Sequence, residues 1–260
     1  MATTFNFAGT ELASFGRVTL MDEYLDFPER RGGNMTIPYR HGTAFAAKYF
    51  NERKITIGIA VIAASITALE TAMDTMRTLF SPRTEQTLTM TLDSDAIRTI
   101  QAAVDTSIQF QRVSPIIGKV VVEFTCSRPF WRGNTLIPDN TTTIDASPKT
   151  VSVNNTGSIE ERDAKITLTG PLEDVTLTNN TSGVTLTYTG TIPDANTVVI
   201  QTNTWGEYTA YWGVANVIGS VTHSGAASLM VFVPGVNEVI VTSTTPTTGQ
   251  VKIEFYPPYL

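Results

Sequence analysis

The residues able to do chemistry are few and scattered. The chain holds two histidines, His41 and His223, and one cysteine, Cys126. A Ser–His–Asp triad or a His-centred metal site needs a histidine beside suitable partners, and each of these two stands alone in its stretch of sequence. Glu160-Glu161-Arg162-Asp163 brings acidic residues together. Paired carboxylates can cleave glycosidic bonds or hold calcium, but this run lacks the Asp-x-Asp-x-Asp-Gly spacing of a calcium loop. It is expected to be a solvated loop between strands. Gly213 and Gly219 precede no helical pattern, so no phosphate-cradling loop is assigned. Cys126, in Val121-Val122-Glu123-Phe124-Thr125-Cys126, reads as a small apolar strand residue. A single cysteine excludes an intrachain disulfide. No catalytic residue, metal ligand or cofactor is assigned, and the chain is read as a non-enzyme.

The densest aromatic group is Trp205, Tyr208, Tyr211 and Trp212. Aromatic rings on a β-sandwich face can stack on sugar rings or pack against a partner. Side chains alternate across a strand, so Tyr208 and the pair Tyr211/Trp212 are expected to divide between faces, half of them in the core.

The elements that must position these residues are mostly strands. Ile55–Ile62 is apolar on alternate positions and then on both sides. Leu88–Leu92 alternates and Ile117–Cys126 continues the pattern. One helix is predicted over about Ser65–Leu79, because Ile66, Leu69, Met73, Met76 and Phe80 recur at spacings of three and four. Thr67-Ala68-Leu69-Glu70 fits a capping box, Ser65 is the other possible cap, and Pro82 stops the helix. Ala96–Gln111 fits helix or strand equally. Arg30-Arg31-Gly32-Gly33-Asn34 reads as a turn or loop. From Thr150 onward short strands recur at sandwich spacing. The candidates are Val151–Asn154, Ala164–Gly170, Val175–Asn179, Val184–Tyr188, Thr197–Thr202, Tyr208–Trp212, Ser228–Val233, Val236–Ser243 and Gln250–Phe255.

Charge divides the chain near Gly133. Residues 1–133 carry 14 Lys+Arg against 13 Asp+Glu, a net of +1, and residues 134–260 carry 4 against 11, a net of −7, which together give the chain's −6. Arg162 is the sole arginine beyond Gly133. Two modules with different surfaces are expected, 1–133 and 149–260, joined by a turn-rich linker over 134–148. An acidic balance argues against a nucleic-acid partner, which needs clustered Lys/Arg. The longest apolar run, Ile55–Ala64, is ten residues, half the roughly 20 a membrane helix requires. The N-terminal residues lack the basic and apolar regions of a signal peptide, so synthesis in a cytoplasm is expected.

The order of these features is similar to that of the distal tail protein family of long flexible-tailed bacteriophages. Phe5-Asn6-Phe7 opens the chain. Arg53–Ile59 leads into the single helix and the alternating strand. Val120–Trp131 resembles the strand that closes the family's first domain. Val151–Gly157 and Ala164–Gly170 resemble the asparagine- and glycine-marked start of its second. Phe232–Asn237 and Val251–Leu260 resemble its closing strands. The Gly- and Ser-rich loop at Gly213–Gly225 and the length of the linker depart from the pattern.

The resemblance implies a mainly β chain: an N-terminal α+β, sandwich-like, ring-forming domain with one helix, and a galectin-like C-terminal β-sandwich. It implies a structural virion component at the tail tip. Six copies would form a ring at the distal end of the tail tube, a hub between tube, tape-measure protein and tip or receptor-binding proteins. The alternative is a carbohydrate-binding protein that uses the C-terminal sandwich and its aromatic group.

Overall fold

A computed structural model describes residues 3–20, 26–36, 41, 43–44, 49–202, 207–224, 230–246 and 248–260. The chain divides into two compact units, Met1–Asn134 with Leu260, and Thr135–Tyr259.

The first unit contains strands β1 (Thr4–Phe7), β2 (Thr10–Glu11), β3 (Arg17–Leu20), β4 (Arg30–Arg31), β5 (Met35–Thr36), β6 (Thr43–Ala44), β7 (Tyr49–Phe50) and β8 (Arg53–Ile62). Helix α1 (Ile66–Leu79) follows, then β9 (Gln86–Thr91), β10 (Ile97–Ala102), β11 (Gln109–Ser114), β12 (Ile117–Cys126) and β13 (Trp131–Gly133). One sheet runs β2-β1-β9-β10-β13 within this unit, and a second has the order β11-β12-β8-β3. The ambiguous stretch after Ala96 is thus two strands, because β10 finds its partner in β9 and β11 in β12. Arg30 and Arg31 form a short strand against Phe50 and Tyr49, which corrects the loop reading. The Arg30 guanidinium lies 5.3 Å from the Phe50 ring centre, a cation–π contact the linear sequence does not reveal.

The long pair β8 and β12 is antiparallel through ten matched positions, from Ile117 opposite Ile62 to Cys126 opposite Arg53. Its inward face buries Ile55, Ile57, Ile59, Val120, Val122 and Phe124. Helix α1 packs Leu69, Met73 and Met76 inward. Gly118 of β12 makes room for it, since a Cβ there would stand 2.4 Å from Met73 Cε and 3.0 Å from Leu69 Cδ1. Phe80, just past the helix, closes an aromatic trio with Phe7 and Phe124, whose ring centres lie 4.9 to 6.0 Å apart. Ile66 stays 49% exposed, so the inward stripe begins at Leu69. Ser65 caps the helix, its hydroxyl accepting from Ala68 N at 3.1 Å. Thr67 lies inside the first turn, so the Thr67–Glu70 capping box is not formed.

The second unit contains β14 (Thr142–Thr143), β15 (Lys149–Asn155), β16 (Lys165–Thr169), β17 (Leu172–Asn179), β18 (Val184–Ile192) and β19 (Thr197–Thr202). It continues with β20 (Tyr208–Trp212), β21 (Ala215–Asn216), β22 (Val221–His223), β23 (Gly235–Thr242), β24 (Gln250–Glu254) and β25 (Pro258–Tyr259). Two sheets, β14-β24-β16-β19-β20-β21 and β15-β23-β17-β18-β22, enclose a core that includes Ile166, Leu177, Val198, Ile200, Val239 and Ile253. The expected linker 134–148 is corrected here. Ile137 and Ile144 are buried in this core, Thr142 and Thr143 pair with β24, and Asn140 exchanges hydrogen bonds with the Ile253 backbone at 2.8 and 2.9 Å. Turn-forming residues mark the segment, but its two isoleucines tie it to the second unit.

The expected strand over Ser228–Val233 lies partly outside the described residues. Its described part, 230–233, meets the unit through one isolated bridge, Glu161 to Phe232. Buried asparagines supply what a ladder would. Asn179 donates to Val231 O at 2.6 Å, and Asn155 to Phe232 O at 2.9 Å. Asn237 accepts from Val233 N at 3.0 Å and donates to Val233 O at 2.8 Å. Buried backbone groups need partners, and a planar amide offers both donor and acceptor. The segment can therefore bury Met230 and Phe232 without regular pairing.

Candidate functional site

The polar side chains that sequence singled out are not drawn together. His41 lies exposed in the first unit. His223 ends β22 in the second, its ring 5.6 Å from that of Tyr208. No group of three metal-ligating side chains occurs among the described residues. Glu160 and Arg162 pair at the surface at 2.6 Å. Glu161, by contrast, is 1% exposed, and its Oε1 accepts from the backbone N–H groups of Arg162 and Asp163. The run thus holds a buried carboxylate at an isolated β-bridge to Phe232, which corrects the solvated-loop reading. Cys126 is buried on the inward face of β12, and desolvation pushes its thiol up to about 12. It is a packing residue.

The aromatic group divides by strand parity. Tyr208 and Trp212 of β20 share the face of buried Ala210 and pack against the core. The Trp212 indole N–H donates to Asn196 Oδ1 at 3.3 Å. Tyr211, one residue away, turns to solvent and is 38% exposed. Trp205 lies outside the described residues. Of the three described aromatics, then, one faces outward. It stands opposite Val199 of β19 and Asn216 of β21.

Sequence reading missed a surface built on the first unit's four-stranded sheet. One face is covered by α1 and the core. The other presents Arg17, Lys54, Lys119 and Glu123, with Lys54 and Glu123 paired at 3.1 Å. Among the described residues β11 pairs only with β12, and β3 only with β8, so these two are the edge strands of the sheet. At one end of the sheet, where β8 leads to α1 and the β11–β12 hairpin turns, Ile62, Val113 and Ile116 are 74%, 61% and 40% exposed. Ala63 N donates to Ile116 O at 2.9 Å and holds these two turns together. The signal was present in the bulky apolar residues flanking Pro115, but only pairing shows that they are left uncovered.

A family model described as the phage tail protein RIFT-related domain matches residues 17–126. Those bounds run from the first residue of β3 to the last of β12. Among solved structures, the Dit protein of phage SPP1, described as a paradigm of the hub adsorption apparatus in phages infecting Gram-positive hosts, matches with a TM-score of 0.69 at 15% identity, over 100% of both chains. A chain of the phage P2 baseplate in its activated conformation with calcium matches with a TM-score of 0.47 at 8% identity, over 98% of both chains. No curated protein matches the chain by sequence. Residues 17–126 thus match the RIFT-related domain of phage tail proteins, in a chain whose fold is similar to that of the SPP1 Dit protein.

Proposed function

We propose that this chain is the structural hub of a phage tail tip, a non-enzymatic ring of six copies at the distal end of the tail tube. The ring joins the tube and tape-measure protein to the tip and receptor-binding proteins. The first unit builds the ring, and the second is a galectin-like sandwich. The reading rests on one observation: the segment that matches the phage tail family holds the four-stranded sheet whose edge strands, β11 and β3, have no further strand partner among the described residues.

That sheet suits ring closure. It has four antiparallel strands, an even number. A second copy rotated about an axis along the strands therefore sets its β3 antiparallel to the first copy's β11. One heterologous contact repeated to closure gives a cyclic ring and leaves no sheet edge open. The −7 charge of the second half disfavours close approach of its copies.

Light scattering on the purified full chain tests this. The expected mass is about 169 kDa, six times 28.2 kDa, with rings visible by negative-stain microscopy. A strictly monomeric species at micromolar concentration overturns the reading.

A further inference from the structure

On the solvent face of the β14-β24-β16-β19-β20-β21 sheet, Lys252, Thr167, Val199 and Tyr211 stand in one rank across β24, β16, β19 and β20. The adjacent rank holds Glu254, Lys165 and Gln201. At a strand spacing of about 4.8 Å, the first rank spans about 14 Å from Lys252 to Tyr211. The face is therefore a polar strip with an exposed aromatic ring at one end and cations at the other.

The cations are unusual for this half of the chain. It has only four, Lys149, Arg162, Lys165 and Lys252, against eleven acidic residues. Two of the four converge here on one carboxylate. Lys165 Nζ lies 3.1 Å from Glu254 Oε2, and Lys252 Nζ 2.8 Å from Glu254 Oε1. Asp139 also acts on Lys252, so the cluster is close to neutral within a module of net −7. Glu254 is the more buried member, its side chain 19% exposed. Each ammonium has three donors, and the two lysine side chains are 45% and 38% exposed. Thr167 and Gln201 lie between cluster and ring and add neutral donors and acceptors.

We propose that this face binds an acidic oligosaccharide, with a sugar ring stacked on Tyr211 and a carboxylate or phosphate substituent on Lys165 and Lys252. The ring supplies apolar contact with the C–H face of a pyranose. The lysine pair, anchored by Glu254, selects negative charge from a surface that otherwise repels it. The site does not depend on the hub reading, since it lies wholly within the second unit.

The test uses the full chain on an array of neutral, uronate-bearing and phosphate-bearing glycans, followed by calorimetric titration with tetragalacturonate and with neutral maltotetraose. Uronate and phosphate arms distinguish the two sources of charge. Acidic glycans are expected to bind in preference to neutral ones. Tyr211→Ala is expected to weaken binding on the order of tenfold. Lys165→Gln with Lys252→Gln is expected to abolish the preference for acidic glycans, and Val236→Ala, on the other sheet, to change nothing. Circular dichroism melts and ring mass of each variant separate a lost site from a lost fold or a lost assembly. Absence of binding to every acidic glycan, or binding indifferent to both the tyrosine and the lysine changes, overturns the proposal.

Discussion

Single residues in this protein act mainly by satisfying or excluding neighbours. Gly170 shows the second case: a Cβ there would lie 2.0 Å from Pro193 O and 2.4 Å from Ile192 O, so backbone meets backbone and no side chain fits. Glu254 shows the first. Hydrogen bonding to Lys252, followed by Lys165, holds its carboxyl below the ordinary glutamate range. A carboxylate with a depressed folded-state value stabilises the fold above its unfolded value. That contribution disappears as pH falls through the folded value. Partial exposure of all three groups screens the effect. Thermal melts across roughly pH 3 to 6 are expected to show a shallower acid loss of stability for Glu254→Gln than for the natural protein. An unchanged acid limb would mean the pairing contributes nothing to folding.

At the scale of elements, α1 is fixed by its cap, its buried stripe and its stop. Ser65 meets Ala68 N, Leu69, Met73 and Met76 meet the sheet, and Pro82 follows two residues after Phe80. Loss of an N-cap acceptor costs about 1 kcal/mol. Ser65→Ala is expected to lower denaturation free energy by about that amount, whereas Thr67→Ala is expected to be near neutral because Thr67 is not the cap. Equal effects of the two changes in urea titrations would contradict the assignment. The helix and the long strands were legible in sequence because their signals are local: spacings of three and four, or strict alternation. Ala96–Gln111 was not legible, because a stretch that suits either state takes the one its neighbours offer, here β9 and β12. The cap was ambiguous for a related reason, since two acceptors stood within three residues and only the backbone path chose between them.

For the whole molecule, the edge strands of the first unit's sheet, β3 and β11, make a specific expectation. If β11 of one copy lies beside β3 of the next, cysteines placed one on each edge will join copies covalently. Thr19→Cys combined in turn with Gln109→Cys, Gln111→Cys and Val113→Cys samples the registers. Mild oxidation is expected to give a ladder reaching six chains on a non-reducing gel in at least one pair, and each single variant is expected to stay below dimer. The native thiol will not compete, since Cys126 is buried with its value raised to about 12. A ring by light scattering without any cross-link would place the contact elsewhere on the first unit.

The sequence by itself determined what repeats locally: the strands, the single helix, the step in charge near Gly133 and the shortage of catalytic groups. It also carried, in ordered motifs, the likeness to distal tail proteins. Only the tertiary structure decided what depends on a distant partner. It placed Ile137 and Ile144 in the second core, paired Arg30 and Arg31 with Phe50 and Tyr49, and turned Tyr211 outward while Tyr208 and Trp212 turned in. The physical reason is that pleat and helix periodicity belong to the backbone of a few consecutive residues, whereas which face is buried, and which edge stays open, is set by surfaces that meet only after the chain has folded.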